Sequence, residues 1–317
     1  MRGLAMVVPV MLAAPSWAQP YPKQYPTKPV RIITAEVGSA NDLAARMVAQ
    51  GLTGVFGQQF IVDNRGGGLC IDIVARAQPD AYTLLFFGSA VWTSPFMRDN
   101  WPWDPTRDLT AITAGVSSPN VLTVHPSVAV KSAAELIALA RAKPGFLNYG
   151  AGTIGASPHL SAELFKSMTG LNILRVPFKG TGPAMTALVG GQVHMMFVGT
   201  GSITPHVRAG RVRALAVTSS KPTALMPGVP VLANDVPGYE SASMMGFFGP
   251  AKLPPPLLAR VSKEIVGVLR QTEVTERLFA TGNEVIANSP AEFALTVKTE
   301  MAKWSKLIRE AKLKDDL

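Results

Sequence analysis

The stretch NYGAGTIGASPHL, Asn148 to Leu160, decides how the chain folds. Its apolar approach through Phe146 and Tyr149 predicts a strand, the glycines at 150, 152 and 155 predict a loop, and Ser157-Pro158 predicts a helix with serine as N-cap and proline at the first helical position. The first amides of a helix lack intrahelical acceptors and stand at the positive end of its dipole. Glycines let backbone come close, so such a mouth is a cradle for an anion. The stretch therefore predicts a strand, a loop and a helix mouth that hold a small carboxylate or similar polar solute.

The same pattern occurs upstream. Residues 30–34 (VRIIT) read as a buried strand, 35–40 as a loop, and Asn41 or Asp42 as the cap of a helix whose Leu43, Met47, Leu52 and Phe56 recur near helical spacing. A strand at 59–62, a glycine turn at 64–68, a short helix at 72–77 and an apolar strand at 82–87 follow. This alternation predicts a parallel sheet with helices on both faces. Farther on, 120–124, 173–176, 194–198 and 213–218 read as strands, Ser132 and Glu135 as a capping box, and Thr181-Gly182-Pro183 as a helix start. After an extended segment at 243–250 the chain is helical. Thr272 caps one helix, and Ser289-Pro290-Ala291-Glu292 opens the last, with Phe293, Val297, Met301, Trp304 and Ile308 on one core-facing stripe.

The middle block thus reads as an α/β domain of its own. The chain leaves its first domain near 121–125 and returns near 245–250, so the expected division is 19–123 with 249–317 as a discontinuous first domain and 124–248 as the second. Two crossings make a hinge, and a ligand would sit in the cleft where strand C-termini and helix N-termini face each other.

Composition bounds the function. At 317 residues and 47% hydrophobic content the chain can fill one large or two medium cores, and its 28 Gly and 26 Pro fit many tight connections. The formal charge of +9 is dispersed, with no run of five Lys or Arg, which argues against nucleic acid as a partner. Met1-Arg2, an apolar run over 3–14 and Pro15-Ser16-Trp17-Ala18 have the charged start, short core and small residues of a secretory signal. This predicts residues 1–18 as a leader cleaved after Ala18 and a periplasmic location. The leader's apolar core of about 12 residues falls short of the roughly 20 needed to span a bilayer. Cys70 is the sole cysteine, so no intrachain disulfide is possible.

A series of short motifs then identifies a resemblance. They are Tyr25 to Ile33 (YPTKPVRII), Asp63-Asn64-Arg65, Val74-Ala75-Arg76-Ala77 with Pro79-Asp80 and Tyr82-Thr83-Leu84-Leu85, and Asp104-Pro105. Leu147-Asn148-Tyr149-Gly150, Ser157-Pro158-His159-Leu160, Val176 to Gly180 (VPFKG), Gly190-Gly191-Gln192-Val193 and Arg213 to Thr218 (RALAVT) continue the series. In order and spacing they resemble the periplasmic solute receptors of tripartite tricarboxylate transporters, the Bug-type receptors, from about Tyr25 to Leu317.

The resemblance implies an α/β, type II periplasmic-binding-protein fold, with two α/β domains on a two-crossing hinge closing on a solute. It implies no enzymatic activity, no cofactor and no metal. Ligands of such receptors are mostly carboxylates, held by backbone amides and ordered waters from two facing loops. Carried onto this chain, the ligand-binding set is Thr34, Glu36, Gly38, Ser39, Asn41 and Asp42 in the first loop, and Ala151, Gly152, Thr153, Ser157 and His159 in the second. Ser89, Phe178, Lys179, Val198 and Gly199 complete the cleft. The expected function is an extracytoplasmic receptor, monomeric, that captures a small organic acid of the mono- or dicarboxylate class and delivers it to a membrane permease of the tripartite tricarboxylate type.

Departures from the family pattern bear on the ligand. The first loop, usually like PFxPGGxxD, reads AEVGSAND from Ala35 to Asp42, one residue shorter, and Glu36 puts a negative charge where the family presents neutral backbone. At an effective dielectric of about 20 and ~6 Å, like charges repel by roughly 3 kcal/mol, so Glu36→Gly or Glu36→Pro is expected to raise carboxylate affinity. The glycine turn after Arg65 is about three residues shorter than the family's, lacking its Asn-Ile-Gly piece. Val198 stands where most members have Asp, which weighs against an amino-acid ligand.

Other chemistries fit less well. Gly150 to Gly155 spells the GxGxxG dinucleotide fingerprint, but Pro158 places the helix start after the third glycine, and no acid closes the strand at 173–176 to hold a ribose. An exported hydrolase using Ser157 and His159 is the main alternative, although no GxSxG elbow is present. His125, His194 and His206 lack metal spacing with Cys, Asp or Glu. A solute sensor for a membrane signalling partner is the third reading.

Overall fold

The computed structural model describes residues 25–35, 37–65, 69–97, 102–152 and 154–313; the leader expected at 1–18, together with Glu36, Thr153 and the glycines at 66–68, lies outside the described residues. Strands β1 (Val30–Thr34), β2 (Phe60–Asn64) and β3 (Thr83–Phe87) pair in parallel, with Val30 opposite Phe60 and Arg31 opposite Thr83. Helices α1 (Ala40–Phe56) and α2 (Leu69–Ala75) connect them. Two short helices, α3 (Ala90–Met97) and α4 (Pro105–Asp108), lead into the 16-residue strand β4 (Leu109–Val124). Then follow α5 (Ala133–Ala142), β5 (Asn148–Ala151), α6 (Ser157–Thr169), β6 (Leu174–Pro177) and α7 (Thr181–Val189). The second half closes with β7 (Met195–Gly199), α8 (Thr200–Arg208) and β8 (Arg213–Val217). The remainder is β9 (Ala242–Pro250), α9 (Pro255–Leu269), α10 (Thr272–Ala280), β10 (Glu284–Val285) and α11 (Pro290–Glu310).

Strand β4 is shared by two sheets. Its first part pairs antiparallel with β9, from Leu109 opposite Pro250 to Pro119 opposite Ala242, and with β10 on its other edge. Its last part, residues 120–124, pairs antiparallel with β7 and β8. The first sheet therefore runs β2-β1-β3-β9-β4 and the second β6-β5-β7-β4-β8. The two orders are equivalent. Each has three parallel strands, an antiparallel strand supplied from elsewhere in the chain, and a fourth strand parallel to the first three. In the first sheet the inserted strand is β9, and in the second it is the tail of β4. The chain changes sheets between Pro119 and Asn120 and rejoins the first at Ala242.

Both sheets are buried on both faces, as their apolar runs require. Val30, Ile32, Leu84 and Phe86 meet Val48 and Leu52 of α1 and Val261 and Ile265 of α9. On the other face Ile33, Leu85 and Phe248 meet Trp92 of α3 and Phe293, Val297 and Trp304 of α11. The second sheet packs Leu122, Tyr149 and Phe197 against Leu136 and Phe165, and Val121, Met196 and Val198 against Leu188 and Ile203. Each large side chain so buried contributes about 1.5–3 kcal/mol relative to exposure.

Local capping rules succeed at some helix starts and fail at others. Ser289 and Glu292 form the reciprocal box expected at α11. Ser132 accepts the Glu135 amide, while the Glu135 carboxylate reaches the Lys131 amide one residue earlier than expected. The cap of α1 is Ser39 rather than Asn41 or Asp42. Ala156 is the N-cap of α6, so Ser157 is its first residue and Pro158 its second; Ser157 is not a cap because its hydroxyl is engaged elsewhere. Gln271, not Thr272, precedes α10, without a side-chain bond.

Candidate functional site

The first loop leaves β1 at Thr34, whose hydroxyl donates to the Phe86 carbonyl (2.8 Å) and so ties β1 to β3. The loop turns at Gly38, where φ is +79°. The Asp42 amide donates to Ser39 Oγ (3.1 Å), and the Gly38 amide donates to Asp42 Oδ2 (2.8 Å). Asp42 Oδ1 accepts from Asn64 Nδ2 (2.8 Å) and Arg46 Nε (2.9 Å), and Asn64 Nδ2 also holds the Ala35 carbonyl. Asp42 is therefore the knot of the loop. Burial pushes its carboxyl up, but the Gly38 amide, Asn64 and Arg46 outweigh that and leave it below the ordinary carboxylate range. Asn41 Oδ1 is buried without a partner, close to Gly88 and hence to Ser89, the residue whose carbonyl begins α3.

The second loop leaves β5 at Ala151, whose carbonyl accepts the Phe178 amide (2.8 Å). Gly152 lies so close to the start of α7 that a Cβ there would stand 2.7 Å from the Gly180 carbonyl carbon. Gly155 adopts φ +77°, a conformation that favours glycine, and a Cβ there would stand 2.2 Å from Met97 Sδ, so any larger residue would also displace this side chain of α3. Ala35 of the first loop, Ile154 of the second, Leu160, Trp92 and Met97 all belong to one apolar cluster.

Ser157 and His159 of α6 and Arg175 of β6 are the polar side chains engaged around the second loop. Ser157 Oγ accepts from Asn120 Nδ2 (2.8 Å), which also bonds Ser161 Oγ; Ser161 in turn bonds Ser241 (2.7 Å). Asn120 and Ser241 stand at the two crossings, so the helix mouth is tied to both. His159 is buried, and its Nδ1 accepts the Gly155 amide (3.1 Å), an assignment that leaves its proton on Nε2. No Ser157–His159 hydrogen bond is present among the described residues, so no nucleophile and base are paired there. Arg175 of β6 reaches the Gly152 carbonyl through Nη2 at 3.5 Å.

Burial, and next the Arg175 charge, push the His159 imidazole down to about 4. An unfolded histidine titrates near 6.5, so between those values the unfolded chain binds a proton that the folded chain refuses. Stability is then full above about pH 6.5 and falls as pH drops toward 4. The expected loss from this group is at most about 3 kcal/mol, read from urea midpoints at pH 7 and 4.5, and His159→Gln should remove most of that slope.

The remaining expected residues are spread around these loops. Phe178 is half-buried beside Gly150, and Lys179 is exposed on the turn before α7. Val198 is buried in the core of the second lobe opposite Val121, and Gly199 precedes α8 as its N-cap. Helices α6, α7 and α8 all start without a side-chain cap bond and without an acid in the first turn, whereas α1 is closed by Ser39 and Asp42. Of the helices that open directly from the two loops, α1 is therefore closed and α6 is open to an anion. Sequence reasoning did not find Asn120, Ser161, Ser241 or Arg175, because their roles come from partners 20 to 80 residues away in the chain.

Two sheets of equal topology, crossed twice by the chain, with a loop and helix start at the C-terminal end of the first strand of each, define a protein of the two-lobed solute-binding class. A family model for the tripartite tricarboxylate transporter family receptor matches residues 44–313. BugT of Bordetella pertussis is 30% identical over 99% of this chain and 99% of its own. The structure of Rpa4515 of Rhodopseudomonas palustris with adipate is 32% identical, with a TM-score of 0.77 over 91% of this chain and 98% of that one. MatC of Rhodopseudomonas palustris with bound malate is 25% identical, with a TM-score of 0.74 over 90% of this chain and 100% of that one. The chain belongs to the tripartite tricarboxylate transporter receptor family, and its fold is the type II periplasmic-binding-protein fold.

Proposed function

We propose that this receptor is exported to the periplasm, captures a mono- or dicarboxylate between its lobes, and delivers it as a monomer to a tripartite tricarboxylate-type permease. The observation that carries this reading is the uncapped, acid-free starts of α6, α7 and α8, the first of which shares an apolar cluster with α3 and with Ala35 of the first loop. Such mouths offer unpaired amides to a carboxylate without a resident counter-charge. The adipate and malate seen with the two Rhodopseudomonas proteins support the same ligand class. The lobes, taken as 19–123 with 249–317 and 124–248, close about the two crossings, and the closed form is what the permease reads. The sixteen residues carried over from the family pattern form the working contact set, with Asp42 and Thr34 acting through loop shape. The receptor works without catalysis, since Ser157 and His159 are each engaged elsewhere.

Thermal denaturation against mono-, di- and tricarboxylates and their neutral isosteres tests the ligand class. A true ligand at about 100 times its Kd should stabilise the fold by ~2.7 kcal/mol. Stabilisation by neutral or cationic compounds alone would remove carboxylates from the proposal. Hydrolysis of chromogenic esters that disappears in Ser157→Ala would replace the receptor reading by an enzymatic one.

A further inference from the structure

Two nitrogen donors beneath the second loop stand without acceptors. His159 is 1% exposed; its Nδ1 is taken by the Gly155 amide, and its Nε2 has no partner. Arg175 stands in register with Tyr149, and its Nε is likewise buried without a partner. Its contact with the Gly152 carbonyl, at 3.5 Å, is at the outer limit of a hydrogen bond. Arg175 contacts Gly152 and His159 contacts Gly155 of the same loop, and Tyr149, the register partner of Arg175, donates its hydroxyl to Glu163 one turn along α6 from His159, which places the two donors in one neighbourhood.

No carboxylate answers the guanidinium. Among the described residues Arg175 forms no ion pair. Glu163, one turn along α6 from His159, is already held by Lys166 Nζ at 2.8 and 3.0 Å and by the Tyr149 hydroxyl. The α6 mouth adds no acid and no cap. Buried donors, one of them cationic, carry a desolvation cost that an arriving acceptor relieves.

We propose that His159 Nε2 and the Arg175 guanidinium form an oxyanion seat beneath the second loop, and that one carboxylate of the solute occupies it. The first clause stands on these residues alone; the second rests on the receptor reading given above. A planar guanidinium beside a ring N–H matches a carboxylate or another oxyanion, such as sulfate. A dicarboxylate engages the seat with one end and the helix-mouth amides with the other, so Arg175 is the residue that counts solute charge.

The full chain, as wild type, Arg175→Gln and His159→Gln, is denatured thermally with increasing sulfate. It is also titrated calorimetrically with succinate, glutarate and adipate and with the half-amide of each. Sulfate should raise the wild-type midpoint by more than that of Arg175→Gln, which shows only the general stabilisation this ion gives a folded protein. The diacid should bind wild type at least tenfold tighter than its half-amide, about 1.4 kcal/mol, and Arg175→Gln should bring the ratio within about twofold. His159→Gln, which keeps a neutral N–H donor, should retain most of the preference, while His159→Leu should lose part of it. Equal sulfate stabilisation of wild type and Arg175→Gln overturns the seat. An unchanged diacid preference in Arg175→Gln overturns its occupation by solute. If no carboxylate binds wild type while the sulfate effect still needs Arg175, the ligand class of the receptor falls and the seat stands. Should Arg175→Gln not fold, Arg175→Lys keeps the charge without the planar fork; it should keep the sulfate effect and weaken the diacid about tenfold.

Discussion

Phe293→Ala is expected to lower the unfolding free energy by about 3–5 kcal/mol, within the range for deleting a buried phenyl ring. The ring is fully buried and lies against Phe248, with centroids 4.9 Å apart. It fills a space that exists because residue 246 of β9 is glycine: a Cβ there would stand 2.3 Å from Phe293 Cζ. Removing the ring leaves a hollow between α11 and the inserted strand that a rigid sheet cannot close. Urea denaturation followed by circular dichroism should show a lower midpoint at unchanged slope. A loss below about 1 kcal/mol would mean that the neighbouring Trp304 and Val297 had collapsed into the space.

Asp42→Ala should cost about 2–4 kcal/mol and loosen the first loop, because it strips the acceptor from several donors at once. The Gly38 amide, Asn64 Nδ2 and Arg46 all point at this carboxylate, which is 2% exposed. Arg46 is half-exposed and regains water, so the lower part of the range reflects its solvation. Asp42→Asn keeps the shape without the charge and should lose roughly half as much. The pH dependence carries a signature. Because the folded carboxyl lies below its unfolded value of 3.8, its stabilisation is present above about pH 4 and is lost as pH falls through the folded value. Asp42→Ala should therefore flatten the acid limb below pH 4 and leave the His159 slope above pH 4 intact.

Much of the architecture is legible in the sequence. VRIIT and TLLFF read as buried strands because both faces of each are covered, and Ser289 with Glu292 marked the last helix since a capping box is purely local. Residues 109–119 did not read as a strand. They mix Thr, Ser, Gly115 and Pro119 without a two-residue period, and their extended form is imposed by β9 on one edge and β10 on the other. Ser157 looked like a cap by position, but Asn120, distant in sequence, claims its hydroxyl. The two loops are legible from their glycines, and the difference between them is not: that α1 is closed by its own Asp42 depends on Asn64 and Arg46 arriving from outside the loop. Arg175 carried no mark at all, since an arginine in a short edge strand ordinarily points to water.

The exchange of strands between the sheets has a consequence for synthesis. On the ribosome β3 emerges long before β9, and its edge, where Leu85, Phe86 and Phe87 later pair with Phe248, Phe247 and Gly246, stays open in the interval. An open apolar edge is a template for pairing with other nascent chains, so the half-made protein is at its most vulnerable until Pro250 has cleared the exit tunnel. The same arrangement means that a gene cut at the two crossings yields three fragments: the middle one keeps every strand of the second sheet, whereas the first and last must be co-expressed to complete the first sheet.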